Sequence, residues 1–231
     1  MSLLPLEANP DVMNKLLHLL GVPKKWSIVD VYGLDEDALA YIPKPVLALI
    51  LLCPGTDQFL QHAEQQIEKL KEEGQVLDSD LFFMKQCVTN TCGTVALIHS
   101  VANNADKVGL EDGPFKKLLN DIKDLTPEEK GEKLFKSEHE AFNLLSTHQE
   151  LALEGQTEVN PNDQAKNHFF ALVEKAGHLY ELNGSKEFPI NHGSTTPESF
   201  LEDAAKVCRE FIARDAEDVN FTVLALAAAE N

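Results

Sequence analysis

The segment Gln86-Cys87-Val88-Thr89-Asn90-Thr91-Cys92-Gly93-Thr94, running into Val95-Ala96-Leu97-Ile98-His99, is the densest concentration of reactive side chains in the chain. Cys92 stands where a polar stretch gives way to an apolar, helical one. A helix N-terminus presents unpaired N–H groups and positive partial charge, and both favour thiolate over thiol. A free cysteine titrates near about 8.5, and such a position beside a histidine brings it down to roughly 3.5–7.5. Gln86, six residues earlier, is spaced to offer its amide to an oxyanion at the same spot, and one such donor is worth about 2.7–4 kcal/mol. Gly93 would let a substrate backbone approach. Two other readings use the same residues. A cysteine heading an apolar helix also serves as a small core residue. Alternatively Cys87, Cys92 and His99 hold zinc, although their cysteine spacing is wider than in the usual pairs and leaves Gln86 and Gly93 without a role.

The surrounding pattern supplies helices and strands to place these groups. Asn9-Pro10 forms an N-cap with proline at the first helical position, Met13, Leu16, Leu17 and Leu20 make an apolar stripe, and Gly21 closes the segment. Trp26 to Tyr32 and Val46 to Cys53 are expected as strands. The second is the longest apolar run, eight residues fenced by Pro45 and Pro54. That is far short of the roughly 20 residues of a membrane-spanning helix. Asp57 to Glu73 has the pattern of a solvated surface helix, Cys92 to Asn103 that of a buried one, and Phe115 to Ile122 that of another helix. Thr126-Pro127-Glu128-Glu129 has the capping-box form, and helical pattern continues, with a break near Ser137, to about Leu151. Glu154 to Asn167 is a long loop with Val159 as its one large aliphatic residue, and loops of more than about 12 residues in compact domains tend to be functional or disordered. Strands at His168 to Glu174 and His178 to Leu182, a helix from Thr196-Pro197 to about Ala213, and a strand from Phe221 to Ala227 complete the chain. Strands bracket helices at both ends without an intervening linker, so one α/β domain over residues 1–231 is expected.

Composition narrows the partners. Twenty Lys and Arg against 38 Asp and Glu give a net charge of −18. That field repels phosphate backbones and anionic lipid headgroups, so nucleic acid and membrane are excluded as expected partners. Four cysteines (Cys53, Cys87, Cys92, Cys208) are too few for a disulfide scaffold in 231 residues. With no basic-then-apolar N-terminal stretch, a reducing cytoplasmic compartment is expected, with the nucleus as a second location.

Gln86-x-x-x-Asn90-Thr91-Cys92-Gly93, followed by Leu97-Ile98-His99-Ser100-Val101-Ala102, resembles the active-site signature of the ubiquitin carboxyl-terminal hydrolases, a family of papain-like cysteine peptidases. Pro5-Leu6-Glu7-Ala8-Asn9-Pro10, Asp30-Val31-Tyr32-Gly33, Phe83-Met84-Lys85-Gln86, Glu154-Gly155-Gln156, Gly177-His178-Leu179-Tyr180-Glu181-Leu182 and Phe188-Pro189-Ile190-Asn191-His192-Gly193 are similar to the short, single-domain members, in order along the whole chain. Thr91 stands where serine or alanine is usual. The resemblance implies an α+β (α/β) papain-like fold with a central, mainly antiparallel sheet flanked by helices and a knotted backbone. It implies Cys92 as nucleophile, His168 as general base and acid, and Gln86 as the side-chain oxyanion donor, while His99 is read as structural.

The third catalytic position departs from the family. Asn183 stands where the family has aspartate, and Asn183-Gly184 is also a strong turn signal. Asparagine still accepts a hydrogen bond from an imidazole but brings no negative charge beside it, as in Cys-His-Asn sites. The resemblance further implies that Leu6, Glu7, Ala8, Asn90 and Glu158 contact ubiquitin, and that residues of about 152–167 cross over the active site and limit the leaving group. No metal or other cofactor is implied. The expected activity is thiol-dependent cleavage of small adducts or short peptides from the C-terminal glycine of ubiquitin, or of a ubiquitin-like modifier, by a monomer. The alternative is a ubiquitin-binding protein of weak turnover that stabilises free ubiquitin, and the net charge alone would also suit an acidic, chaperone-like partner of basic proteins.

Overall fold

The computed structural model describes residues 3–136, 143–155, 167–214 and 220–229. The apolar run becomes a strand, Val46–Pro54, in which every residue except Leu52 is buried. A strand that is apolar on both faces must be covered on both, and so belongs inside a sheet. In chain order the strands are β1 (Trp26–Asp30), β2 (Val46–Pro54), β3 (Asn167–Lys175), β4 (His178–Leu182), β5 (Ile190–Ser194) and β6 (Thr222–Ala228). They form one sheet in the order β1-β6-β2-β3-β4-β5, with β2 in its interior and every neighbouring pair antiparallel. The helices are α1 (Pro10–Leu19), α2 (Glu36–Ala40), α3 (Asp57–Glu73), α4 (Cys92–Asn103), α5 (Ala105–Val108), α6 (Pro114–Ile122), α7 (Pro127–Lys136), α8 (Leu144–Ala152) and α9 (Phe200–Arg214). This is an α+β fold with a mainly antiparallel sheet, as expected.

Alternation along the strands divides the core in two. Ala48, Ile50, Phe169, Ala171, Val173, Leu224 and Leu226 face one cluster, which takes in α1 and α4. Leu49, Leu51, Cys53, Phe170, Leu172, Val223 and Ala225 face the other, where α9 contributes Phe200, Ala204, Cys208 and Phe211 at helical spacing. Helix α4 is buried at every position except Ala102, and it packs on β2 and β3. A helix enclosed this completely fixes the position of its first residue, Cys92.

The caps match the chemistry of the sequence. The Asn9 side chain accepts the Asp11 N–H, Thr56 caps α3 through the Phe59 N–H, and Thr126 and Glu129 exchange reciprocal bonds. Helical bonding also starts at Thr196, whose carbonyl accepts the Phe200 N–H, although regular helix begins only at Phe200. Helices α2 and α5 and strand β5 have no counterpart in the sequence reading; they are four or five residues long and, unlike the equally short β1 and β4, β5 has little apolar content. Gln75 holds the start of β5: its Nε2 donates to the Pro189 carbonyl at 2.7 Å, and its Oε1 accepts the Asn191 N–H at 2.9 Å. The helix break near Ser137, the span 156–166 of the long loop with Glu158, and the knotted path expected through that loop lie outside the described residues.

Candidate active site

Two pieces of backbone converge on Cys92. The first is the head of α4, where Cys92 is 5% exposed. The second is the β3–β4 pair, which carries His168 near its start and Asn183 just past its end. The register sets Ala171 opposite Leu182, so its continuation brings His168 level with the turn at residues 183–185. There His168 Nε2 donates to Asn183 Oδ1 at 2.7 Å, leaving Nδ1 for the Cys92 sulfur. Cys92 and His168 are close enough for each to shift the titration of the other.

The electrostatics follow from this contact. Burial pushes the Cys92 thiol up, but the hydrogen bond and charge of His168, with the N–H groups of Phe169 and Gly93, outweigh it and hold Cys92 below the usual thiol range. Burial likewise pushes His168 down, yet the bond to and charge of Cys92, the bond to Asn183 and the charge of Glu181 raise it above an ordinary histidine. The two shifts favour a thiolate–imidazolium pair. The other thiols behave differently. Burial raises Cys53 and takes Cys208 up to about 12, so both stay protonated. Cys53 lies opposite His168 across β2–β3 and donates its S–H to the His168 carbonyl at 3.4 Å.

The turn after β4 belongs to the site. Its Lys186 N–H donates to the Asn183 carbonyl at 3.0 Å, closing it. Asn183 is 2% exposed, and besides His168 its Oδ1 accepts from the Ser185 N–H at 3.0 Å and the Ser185 hydroxyl at 2.8 Å. Ser185 Oγ is also 3.4 Å from His168 Nε2. The sequence reading missed Ser185. An Asn-Gly-Ser turn beside the expected orienting residue was the available signal, since serine side chains commonly bond their local backbone and neighbours. Gly184 is needed for packing here: a Cβ would lie 2.9 Å from Val95 Cγ1 and 3.1 Å from the Gln86 nitrogen. The Gln86 N–H donates to the Gly184 carbonyl at 2.9 Å, which ties the expected oxyanion residue to the turn carrying Asn183.

Gln86 spends one amide hydrogen on the Val88 carbonyl, at 3.0 Å, so only the other is available to an oxyanion. The same carbonyl accepts the hydroxyl of fully buried Thr91 at 2.8 Å, which gives the threonine at that position a place in the loop. His99 is structural, as read: buried in α4, it accepts the Met84 N–H through Nε2 at 3.1 Å and stacks on Phe83 at 5.4 Å. The zinc alternative fails on placement, since Cys87 is exposed while Cys92 and His99 are buried. Among the described residues, no three His, Cys, Asp or Glu side chains are grouped to hold a metal.

The structure places the expected substrate-facing residues as follows. Gly93 packs on the chain itself; a Cβ there would meet Leu6 Cβ and the Phe169 ring at 3.3 Å. Leu6 is 3% exposed and joins the core. Asn90, 7% exposed with φ of 66°, donates its amide to the Leu3 carbonyl at 2.7 Å. The N-terminal segment thus lies along the nucleophile's own loop. It is held again one residue on, where buried His148 bonds the Leu4 carbonyl through Nε2 at 2.9 Å and Thr94 Oγ1 through Nδ1 at 2.7 Å. Glu7 and Ala8 remain partly exposed, and Glu158 lies outside the described residues.

Comparison with known proteins agrees along nearly the whole chain. The sequence model of ubiquitin carboxyl-terminal hydrolase, family 1, matches residues 3–213. A ubiquitin carboxyl-terminal hydrolase of Drosophila melanogaster is 49% identical over 226 residues, covering 98% of this chain and 97% of its own. The Homo sapiens ubiquitin carboxyl-terminal hydrolase isozyme L1 is 44% identical over 227 residues, covering 98% of each. In fold, the chain is similar to the catalytic domain of Trichinella spiralis UCH37 bound to ubiquitin vinyl methyl ester. The TM-score is 0.75 at 22% identity, with 100% of this chain and 97% of that one covered.

Proposed function

The chain belongs to ubiquitin carboxyl-terminal hydrolase family 1, and we propose that it cleaves small adducts or short peptides from the C-terminal glycine of ubiquitin through an acyl-enzyme on Cys92. The observation that carries this reading is Cys92 at the head of a buried helix, coupled to a His168 that Asn183 holds at 2.7 Å. The thiolate attacks the glycine carbonyl carbon. The resulting oxyanion is met by the Cys92 N–H at the head of α4 and by the remaining Gln86 amide hydrogen, each donor worth about 2.7–4 kcal/mol. Collapse expels the leaving amine, which takes its proton from the His168 imidazolium. Neutral His168 then removes a proton from water, the hydroxide adds to the thioester, and the glycine carboxylate leaves with Cys92 again a thiolate. Asn183 holds the imidazole in place and gives no charge of its own.

Residues 1–231 are read as one catalytic domain that acts as a monomer and needs no cofactor. Glu7 and Ala8 on the N-terminal segment and Glu158 on the crossover loop are the proposed ubiquitin contacts, and Glu158 suits a tail that carries arginines. The net charge of −18 accords with that basic substrate. No described helix is long and apolar enough to cross a membrane, and the cytoplasm, with the nucleus, is the proposed site of action. The test compares wild type with Cys92→Ser on a ubiquitin C-terminal fluorogenic substrate and a thiol-reactive ubiquitin probe. Turnover and labelling that both disappear in Cys92→Ser are expected. Turnover surviving the substitution, or wild type that neither turns over nor labels, would overturn the assignment.

A further inference from the structure

A fully buried carboxylate lies behind the catalytic residues. Glu181 of β4 has no exposed surface, and its oxygens meet Lys186 Nζ at 2.6 Å and His192 Nε2 at 3.0 Å. Lys186 is itself 7% exposed. Taking such a pair out of water costs about as much as its attraction returns, and well-packed apolar residues usually do as well or better. Stability alone is therefore a poor reason for the cluster.

Its connections lead to the site. Glu181 lies in β4 and Asn183 just past its end, two residues on. Lys186 ends the turn that displays Asn183, donating its N–H to the Asn183 carbonyl. The Lys186 carbonyl accepts Lys85 Nζ at 2.6 Å, next to Gln86, and Lys186 Nζ also bonds Gln66 Oε1 of α3 at 2.9 Å. One ion pair thus anchors the turn that orients His168 and the loop that carries the oxyanion residue.

Resting on the assignment of Cys92 and His168 above, we propose that Glu181 is a positioning residue of the catalytic pair: it fixes the Asn183 turn through Lys186, and its buried negative charge supplies to His168 the field that Asn183 lacks. Other charges act in the same space. Lys186 and His192 of β5 contact Glu181, and His62 of α3, Arg214 of α9 and the thiols of Cys53 and Cys208 lie within reach of its charge. His168 is faced by Cys92, Asn183 and Ser185 as well as by Glu181. Among these, Lys186 opposes the effect of Glu181, which gives the proposal a signed test.

The experiment titrates His168 by NMR of histidine-labelled protein and, in parallel, follows the alkaline limb of kcat/KM on the ubiquitin substrate. Glu181→Gln is expected to move the His168 midpoint down by about half a unit to one unit, and Lys186→Met to move it up. A purely structural role predicts no movement, or movement in the same direction in both, and either result would overturn the proposal. Glu181→Gln leaves Lys186 buried without its carboxylate, so the double variant Glu181→Gln/Lys186→Met guards against unfolding. It removes both charges and is expected to fold, by thermal melt, with a His168 midpoint between those of the two single variants. A double-variant midpoint outside that interval would also refute the idea. Failure of the wild type to process ubiquitin would remove the functional assignment but leave the NMR titration to decide the role of Glu181.

Discussion

Asn183→Asp is the substitution on which the reading of this site depends most directly. Asn183 Oδ1 already faces three donors: His168 Nε2 at 2.7 Å, the Ser185 N–H at 3.0 Å and the Ser185 hydroxyl at 2.8 Å. A carboxylate would keep those bonds and add a unit charge about 4 Å from the imidazolium, an attraction of about 4 kcal/mol at an effective dielectric of 20. Two costs oppose it. Asn183 is 2% exposed, so the new charge must be desolvated, at several kcal/mol before the three donors offset most of it. Glu181 also lies two residues away with like charge. A net gain of about 1.4–2.8 kcal/mol for the imidazolium remains, which is a rise of about one to two units in its midpoint.

The sign follows from the chemistry. His168 must be protonated to deliver a proton to the leaving amine, so raising its midpoint extends activity toward alkaline pH and enlarges the thiolate–imidazolium fraction. The variant is expected to exceed wild type in kcat/KM on a ubiquitin C-terminal fluorogenic substrate by about 10 to 100 times at a pH above both midpoints, and by only a few-fold near neutral pH, where His168 is already largely protonated. Its alkaline limb should shift upward by the same one to two units. A large loss of turnover with the fold intact would refute the reasoning, because it would mean that the site is built around a neutral partner. An unmoved alkaline limb would do so equally.

Gly184→Ala should injure the site more than the fold. Its Cβ would have to displace Val95, one turn along α4 from Cys92, and the Gln86 backbone, both within 3.1 Å. A loss of about 1–3 kcal/mol in a denaturant melt is expected, with a disproportionate fall in kcat that a stability correction does not remove. Ser185→Ala takes one of three donors from Asn183, worth about 0.5–1.5 kcal/mol, so kcat should fall about 2- to 10-fold with KM steady. His99 gives a prediction for acid stability. Burial lowers it from 6.5 to about 4, so below pH 6.5 the unfolded chain takes up a proton that the folded chain refuses. Stability is fully present above pH 6.5 and falls by about 3 kcal/mol as the pH drops toward 4. Urea midpoints between pH 7.5 and 4.5 should show that slope in wild type and a flatter one in His99→Gln.

The elements that position the site were the most legible part of the chain. The proline-fenced apolar run of β2, the one-sided stripe of α3 and the apolar stretch of α4 located each within a residue or two of its observed bounds, because long segments carry a clear burial pattern. The head of α4 was marked by the change from polar to apolar at Cys92, a local signal that needs no tertiary knowledge. Helices α2 and α5 and strand β5 were illegible for the opposite reason. Their four or five residues are held by neighbours, as β5 is by Gln75.

What the sequence could not display was the traffic of side chains to distant backbone. Asn90 was placed at the substrate groove by the family resemblance alone. The structure gives its amide to the Leu3 carbonyl, 87 residues away, and gives the next carbonyl, Leu4, to His148, 144 residues away. No periodic pattern encodes such bonds, since each needs only one polar side chain and an unpaired carbonyl that the fold happens to bring near. Leu6, which the resemblance implied as a ubiquitin contact, is buried against Gly93. That contact changes the meaning of the glycine. At position 93 the absence of a Cβ admits the chain's own N-terminal segment, so the backbone immediately after the nucleophile is held by Leu6 and Phe169 before any substrate arrives. Cys92 is therefore fixed from three directions, by its helix, by the hairpin of His168 and Asn183, and by the N-terminal segment. An enzyme that must meet a flexible peptide tail with a single thiolate gains from having its own half of the encounter already ordered.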